Sequence, residues 1–221
     1  MSYPGFFITF EGIDGCGKTT QLSVLADHLC GLGIAVTTTR EPGGTAIGTR
    51  IREILLHRDN VHLSASAELL LYGADRAQHV AEVIIPALSR GDVILCDRFS
   101  DATIAYQGSG RKLPMETIEG IIGYAAQGIA PDLTLLLDVD VTVGQQRAHR
   151  RGVPAGASDD RFEREKIDFH ERVREAYLAL ARREPQRIRV IDASPSPEAI
   201  TREVQSVVMD ALAARGFAFT V

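Results

Sequence analysis

Cysteine is scarce in this chain of 221 residues, and long hydrophobic runs are missing from it. The three cysteines, Cys16, Cys30 and Cys96, are odd in number and show no C-x-x-C spacing, which argues against a disulfide framework and a zinc site. No apolar run approaches the roughly 18 residues of a membrane-spanning helix, and the N-terminus lacks a signal-peptide pattern. We therefore expect a cytoplasmic protein with reduced thiols and no membrane association.

An excess of basic residues is also missing. Lys and Arg total 24 against 29 Asp and Glu, a net charge of -5, which argues against broad nucleic-acid binding. A small anionic ligand is compatible with this balance, because basic residues still cluster locally. With 45% hydrophobic residues, the chain can bury a large core as one α/β domain or two small ones. We expect one domain over residues 1–221.

A phosphate-binding loop is the most informative feature that is present. Residues 12–19 read G-I-D-G-C-G-K-T, directly after the apolar run 6–10 and before an amphipathic helix. Glycines let the backbone wrap a phosphate, Lys18 reaches the β and γ oxygens, and Thr19 can ligate Mg²⁺. The sequence thus predicts binding of a nucleoside triphosphate, with Thr19 able to ligate Mg²⁺. The predicted nucleotide contacts are Gly12, Ile13, Asp14, Gly15, Cys16, Gly17, Lys18, Thr19 and Thr20.

Short apolar strands alternate with helical segments along the chain, which predicts a parallel sheet. The expected strands are 6–11, 34–39, 92–96, 133–138 and 187–192. The expected helices are 18–32, 46–57, 65–90, 114–128, 141–151, 161–184 and 197–215. The fold class is therefore α/β, a five-stranded parallel sheet flanked by helices.

Acidic and basic residues follow the predicted strands where such sheets bind ligands. Asp97 ends the third strand and is expected to complete a Mg²⁺ site with Thr19, although it could also cap the next helix. Arg98 is expected to hold a substrate phosphate. Asp14, inside the loop, would serve a sugar hydroxyl of a second substrate or else face solvent.

A basic stretch surrounds the linker-like residues 152–158. Arg147, Arg150 and Arg151 precede it, and Arg161 and Arg164 follow it. Beside a triphosphate loop we interpret residues 147–164 as a mobile lid that delivers positive charge once the substrates are bound. The alternative is a solvated connection between two helices.

Four segments together resemble the bacterial thymidylate kinase family. They are the loop with its flanks at 10–21, T-R-E-P-G-G-T at 39–45, D-R-F-S-D-A-T-I-A-Y-Q-G at 97–108, and P-D-L-T at 131–134. The second and third are specific to that family, whereas the phosphate loop is widely shared. The resemblance implies the nucleoside monophosphate kinase fold with a phosphate loop. It also implies phosphorylation of dTMP to dTDP by ATP with Mg²⁺, for dTTP synthesis, in a homodimer.

Roles for further residues follow from this resemblance alone. Tyr72, four residues before Arg76 on one helix face, matches the ring that stacks on thymine, though by itself it reads as a core residue. Arg76 matches the arginine that bonds the base carbonyl. Thr103 and Gln107 match residues that read the base edge, and Tyr106 the ring beneath the deoxyribose. The remaining matches are Arg52 and Arg98 as phosphate clamps, Asp14 near the 3′-hydroxyl, and Arg147 with Ala193–Ser194–Pro195 beside adenine.

The chain departs at Gly15 from some family members, which carry a catalytic arginine there, whereas others provide it from the lid. The resemblance then implies that a lid arginine supplies the transition-state charge, and we choose Arg151 over Arg150 and Arg161. Tyr72 also replaces a more usual phenylalanine. The catalytic set predicted from the sequence is Lys18, Arg98, Arg151 and Asp14.

Two other functions are compatible with a phosphate loop. The first is a related kinase that acts on a different nucleoside monophosphate or on a nucleoside. The predicted base-reading residues distinguish it from a dTMP kinase; they are Tyr72, Arg76, Thr103 and Gln107. A guanine-nucleotide switch usually carries N-K-x-D, whereas the one asparagine here is Asn60, in an unrelated setting. Fold and loop alone do not decide between them.

Overall fold

The structure is a computed structural model that describes residues 3–150 and 161–218. Its strands are β1 (Phe6–Glu11), β2 (Val36–Arg40), β3 (Val93–Asp97), β4 (Leu133–Asp138) and β5 (Ile188–Asp192). Its α-helices are α1 (Lys18–Gly31), α2 (Ala46–Leu56), α3 (Ala65–His79), α4 (Ile85–Arg90), α5 (Ser100–Thr103), α6 (Met115–Ala126), α7 (Val141–Arg150), α8 (Ile167–Arg183) and α9 (Pro197–Arg215). Two π-helical turns, Val80–Ile84 and Ile104–Gly110, follow α3 and α5, and a 3-10 turn, Arg161–Arg164, precedes α8.

The strands form one parallel sheet in the order β2-β3-β1-β4-β5. β1 lies in the middle, with Ile8 opposite Leu95 of β3 on one side and Leu133 of β4 on the other. The chain fills one side of β1 before β4 crosses to its other side, and such a change of direction leaves a crevice at the carboxyl ends of the strands. The predicted five-stranded parallel α/β fold is thus confirmed, and the phosphate loop begins at this crevice.

The three central strands of the sheet, β1, β3 and β4, are buried on both faces. Ile8 and Phe10 of β1 pack into a core shared with α1, α8 and α9, whereas Phe7 packs into a second core with α4 and Phe99. This alternation is what a strand covered on both faces requires, and each large buried side chain contributes about 1.5–3 kcal/mol. Within the described ranges, no helix is both long and apolar enough to cross a membrane.

The helical segments differ from expectation in three places. The predicted helix 65–90 contains the π-helical turn Val80–Ile84, because Pro86 cannot donate to the carbonyl four residues earlier and its ring crowds that group. The predicted helix 161–184 is wrong at its start, where a 3-10 turn precedes α8. The helical segment 100–110 was not predicted, since Gly108 and Gly110 are poor helix formers, and it is held by packing against α6 and α8.

Candidate active site

The phosphate loop joins β1 to α1 along a path that requires glycine. Gly12 and Gly15 have φ angles of +129° and +81°, a region that residues with a side chain rarely adopt. A Cβ at Gly12 would collide with the carbonyl oxygen of Leu137, and one at Gly15 with that of Gly144. The loop ends at Lys18, the first residue of α1, where a helix dipole and unpaired amides favour an anion.

The remaining loop residues differ in what they can offer a nucleotide. Ile13 and Cys16 are buried, with 3% and 1% of their surface exposed, so they can contribute only backbone groups to a phosphate. Lys18 is also buried, and its Nζ donates to the carbonyl oxygens of Gly12 and Ile13 at 3.1 and 3.0 Å. Thr20 is exposed in the first turn of α1.

The side-chain oxygens of Thr19 and Asp97, which the sequence predicts to bind Mg²⁺, lie next to each other. The Thr19 hydroxyl donates to Oδ2 of Asp97 at 2.8 Å, across from α1 to the end of β3. Asp97 does not cap α5, because the N-cap residue of that helix is Phe99, whose side chain makes no capping hydrogen bond. Two hard oxygen donors beside a phosphate site fit Mg²⁺, which keeps several waters and takes its other ligands from the nucleotide.

Asp14, within the phosphate loop, forms an ion pair with Arg98, which follows β3. Nη2 of Arg98 donates to Oδ1 of Asp14 at 2.6 Å, and Nη1 donates to the carbonyl of Gly12 at 2.9 Å. The same guanidinium donates to the hydroxyls of Tyr106 and Tyr177. Burial alone would raise the pKa of Asp14, but the charges of Arg98 and Lys18 outweigh it and lower the pKa to about 2. Asp14 is therefore ionised and held in place.

A cavity beside this ion pair collects the residues predicted to bind the substrate. It is partly open to solvent, and the empty space between its walls, solvent-filled mouth included, is about 530 Å³. Of the predicted substrate contacts, the following line it: Asp14, Arg52, Tyr72, Arg76, Arg98, Thr103, Tyr106 and Gln107. These residues come from the phosphate loop, α2, α3 and the segment 98–107. The structure thus brings the whole predicted set together.

Arg76 has one guanidinium nitrogen that the described residues leave unsatisfied. Its Nε donates to Oε1 of Glu41 at 2.8 Å, and its Nη2 donates to the Thr103 hydroxyl at 2.7 Å. Nη1 is buried and has no hydrogen-bond partner among the described residues. An unsatisfied buried donor costs about 1–3 kcal/mol. A ligand oxygen in the cavity would satisfy it.

Three residues that build this site were not predicted from the sequence. Glu41 is buried and pairs with Arg76 and His79. Phe162 lines the cavity and packs edge-on against Tyr106, with ring centroids 5.6 Å apart. Glu68 is fully buried and accepts hydrogen bonds from Gln107 and Arg161. Glu41 lies in the R-E-P-G-G motif, and this motif could have indicated that it belongs to the site. No sequence motif or periodicity points to Phe162 or Glu68 as site residues.

The predicted lid is only partly described. Arg147 donates to the carbonyl oxygens of Ala193 and Ser194 at 2.7 and 3.3 Å, so it lies against the turn predicted to border adenine with it. Arg150 ends α7 and is exposed. Arg151, our predicted catalytic arginine, lies outside the described residues, as does the linker 152–158. Arg161 is buried and ion-paired with Glu68 at 2.6 Å.

Glu11, the last residue of β1, is a buried carboxyl group beside the site. Oε1 accepts from the backbone N–H of Phe99 at 2.7 Å, and Oε2 accepts from the Tyr177 hydroxyl at 2.6 Å. Burial and, after it, the charge of Asp101 raise the pKa of Glu11 from 4.5 to about 8, although Arg98 and the hydrogen bonds oppose them. Glu11 is therefore protonated in the folded protein at neutral pH.

This raised pKa predicts a loss of stability with rising pH. The folded state holds the proton more tightly than the unfolded chain, so the Glu11 contribution is complete below pH 4.5 and is lost as pH rises through about 8. Glu11→Gln, which carries no proton to lose, should show a smaller fall in Tm between pH 6 and 9 than the wild type. The exposed Glu119→Gln is the matched control and should behave like the wild type. Parallel pH profiles for all three proteins would refute the assignment.

Comparisons with known proteins agree with this geometry. The family model described as thymidylate kinase matches residues 10–204. The thymidylate kinase of Pelobacter propionicus is 54% identical over 206 residues, covering 93% of this chain and 94% of the relative. The thymidylate kinase of Geobacter sp. strain M21 is 51% identical over 212 residues, covering 92% and 94%.

A solved structure adds an independent match in three dimensions. The crystal structure of thymidylate kinase from Ehrlichia chaffeensis superposes with a TM-score of 0.74 at 32% identity, covering 92% of this chain and 98% of that one. The matches span nearly the whole chain and include every motif that carried the resemblance. The chain belongs to the thymidylate kinase family of nucleoside monophosphate kinases.

Proposed function

We propose that this chain transfers the γ-phosphoryl group of ATP to dTMP, giving dTDP and ADP, as a step in dTTP synthesis. One observation carries the proposal: the phosphate-loop cleft and the substrate cavity share Asp14, Glu41, Arg52 and Arg98 in their walls. Two ligands in these sites would meet at their phosphates. An acceptor phosphate oxygen is already anionic, so transfer needs positioning and charge neutralisation rather than a general base.

The donor side follows from the loop and the start of α1. The backbone from Gly12 to Thr20 would hold the ATP phosphates, and Lys18 would turn its Nζ from the loop carbonyls to the β and γ oxygens. Thr19 and Asp97 would hold Mg²⁺, which when bound neutralises charge on those phosphates. Arg147 and the turn beginning at Ala193 would border adenine.

The acceptor side uses the cavity between α3 and the segment 98–107. Tyr72 would stack on the thymine ring, and Arg76 would donate from its unsatisfied Nη1 to a base carbonyl. Thr103 and Gln107 would read the base edge. Tyr106 would pack beneath the deoxyribose, and Asp14 would accept from the 3′-hydroxyl. Arg52 and Arg98 would clamp the phosphate at the shared wall of the two clefts.

A closing lid would complete the catalytic set. Lys18, Arg98 and Asp14 are described and lie at the phosphate-loop cleft, and Arg151 would join them from the lid. The lid spans about 147–164 in this proposal and excludes water when both substrates are bound. The whole chain, residues 1–221, acts as one kinase domain.

A homodimer in the cytoplasm is the proposed working form. Apolar side chains lie exposed on α2, α3 and α6, among them Ile54 at 46%, Leu70 at 58% and Tyr124 at 86%. Helices α2 and α6 both pack against α3, so these faces could form one continuous patch for a second copy. Light scattering of the purified chain measures this directly. The three cysteines are unpaired, which supports a reducing compartment.

The decisive experiment measures ADP release with ATP and Mg²⁺ against dTMP, dUMP, dCMP, dGMP, AMP and thymidine. We expect a strong preference for dTMP. Activity on another base would keep the phosphoryl-transfer mechanism and overturn the roles given to Tyr72, Arg76, Thr103 and Gln107. Binding of ATP without acceptance of any listed substrate would refute the kinase proposal and favour a nucleotide-operated switch.

A further inference from the structure

We propose that Glu68 is a positioning residue that sets base selectivity by fixing the orientation of the Gln107 amide and tying it to Arg161. This inference rests on the proposed function, since it concerns how the base cavity recognises its nucleotide. Glu68 does not line the cavity itself. It acts through residues that do.

The position of Glu68 on α3 places it beneath the base-binding residues. Glu68, Tyr72 and Arg76 follow one another at intervals of four and therefore share one face of the helix. Glu68 is 0% exposed, and Oε1 accepts a hydrogen bond of 2.7 Å from Nε2 of Gln107, which is 1% exposed. A buried carboxylate is thus in direct contact with a side chain of the cavity wall.

The chemistry of a carboxylate decides which way this amide points. An ionised carboxylate only accepts hydrogen bonds, so Gln107 must turn its NH₂ group toward Glu68. Arg161 donates to Oε2 at 2.6 Å, and Arg111 donates to the same oxygen at 3.2 Å, so two guanidinium groups compensate the buried charge. The amide then has its carbonyl oxygen left to offer the cavity.

This orientation selects for the hydrogen-bonding pattern of one base class. A carbonyl oxygen from Gln107 beside the Nη1 donor of Arg76 matches a ring that presents an N–H next to a carbonyl, as thymine and uracil do. Cytosine presents a ring acceptor and an amino donor at these positions, so both contacts would fail. Sites that leave buried polar groups unpaired reject the wrong ligand strongly.

Glu68 also joins the base cavity to the 3-10 turn Arg161–Arg164. Arg161 is the first described residue after the linker, and it donates through Nε to the carbonyl of Leu55 as well as to Glu68. Its neighbour Phe162 lines the cavity and packs edge-on against Tyr106, 5.6 Å between ring centroids. One carboxylate therefore holds both Gln107, the residue proposed to read the base, and Arg161, the first residue of this turn.

The test is Glu68→Gln, which replaces an acceptor-only group by an amide that can donate or accept. We expect kcat/KM for dTMP to fall about 10–100-fold, mainly through KM, and the dTMP-to-dCMP selectivity ratio to fall about 10-fold or more. Glu165→Gln is the matched control, because Glu165 pairs with Arg111 at 2.5 Å and with neither Gln107 nor Arg161 in the described contacts. It should keep the wild-type selectivity ratio.

A second set of variants keeps the inference falsifiable if Glu68→Gln does not fold. Glu68→Asp retains an acceptor-only carboxylate and should keep the selectivity ratio within about 3-fold while KM rises. Gln107→Met should lose selectivity by itself, and adding Glu68→Gln to it should cost no further selectivity, because the two act as a unit.

The outcomes separate this inference from the function it rests on. A wild-type enzyme that does not prefer dTMP to dCMP refutes the proposed function. A wild-type enzyme with that preference, together with an unchanged ratio in folded Glu68→Gln or a lost ratio in Glu68→Asp, refutes the role of Glu68 alone. An equal loss of selectivity in Glu165→Gln would assign the effect to Arg111 and also overturn the inference.

Discussion

Replacing Arg151 with alanine should lower kcat by about 10³–10⁵-fold and leave KM for dTMP within a few-fold. Phosphoryl transfer spreads negative charge over the migrating group, and an arginine that meets this charge only in the transition state changes kcat rather than substrate binding. Steady-state kinetics with ATP and dTMP varied in turn provide the measurement. A raised KM with an unchanged kcat would reassign Arg151 to ground-state binding.

The choice of Arg151 follows from what the other arginines already do. The guanidinium of Arg98 is held by Asp14, Gly12 and two tyrosine hydroxyls, so it suits a fixed clamp better than a mobile charge. Arg161 is buried in an ion pair with Glu68. Arg150 is exposed at the end of α7, next to Arg151 in the chain, which makes Arg150→Ala the matched control. A loss of kcat in Arg150→Ala equal to that in Arg151→Ala would move the role by one residue.

The phosphate loop itself cannot take over this function. Gly15 matches the position at which, by the resemblance, some family members carry an arginine, but a Cβ there would collide with the backbone of Gly144 on α7. Gly15 also has a φ of +81°, which strains any other residue. Adding Gly15→Arg to Arg151→Ala is therefore expected to lower Tm without restoring kcat. The close approach of α7 to the loop gives a physical reason why the proposed transition-state arginine lies outside the loop.

The parts of the site that the sequence predicted well depend on short, contiguous patterns. The phosphate loop follows a strand and opens a helix, so Lys18 and Thr19 have their places fixed by local geometry. Asp97 and Arg98 end a buried strand, and the ends of neighbouring parallel strands meet at one edge of the sheet. Tyr72 and Arg76 share a helix face because they are four residues apart.

The parts that were missed depend on contacts between distant segments. Glu41 meets Arg76 across 35 residues of sequence, and Glu68 meets Arg161 across 93. No periodicity marks such a pair, because each partner lies on an element whose own pattern is set by other contacts. From a single sequence, buried carboxylates such as Glu41 and Glu68 cannot be distinguished from acidic residues on the surface, where most Asp and Glu lie. Only the folded packing reveals that they organise the cavity.

Replacing Glu41 with alanine should destabilise the protein by about 3–5 kcal/mol and also lower kcat/KM for dTMP. Glu41 is 3% exposed, and its carboxylate lies 2.5 Å from Nη2 of Arg76 and 3.3 Å from Nδ1 of His79. Without Glu41, the guanidinium of Arg76, itself 1% exposed, would remain buried without the carboxylate that accepts hydrogen bonds from its Nε and Nη2. The Arg76 guanidinium would then no longer be held in its orientation toward the base cavity, because the ion pair with Glu41 fixes it.

Two further variants separate the charge from the shape of this side chain. Glu41→Gln keeps an oxygen that can accept from Nε of Arg76 and should lose less stability than Glu41→Ala, because one hydrogen bond survives. Glu53→Ala, an exposed glutamate on α2, should stay within about 0.5 kcal/mol of the wild type. Urea unfolding gives all three free energies, and kinetics on the same samples give kcat/KM. A Glu41→Ala protein as stable as Glu53→Ala would mean that Arg76 is held by Thr103 and the backbone of Phe99 alone.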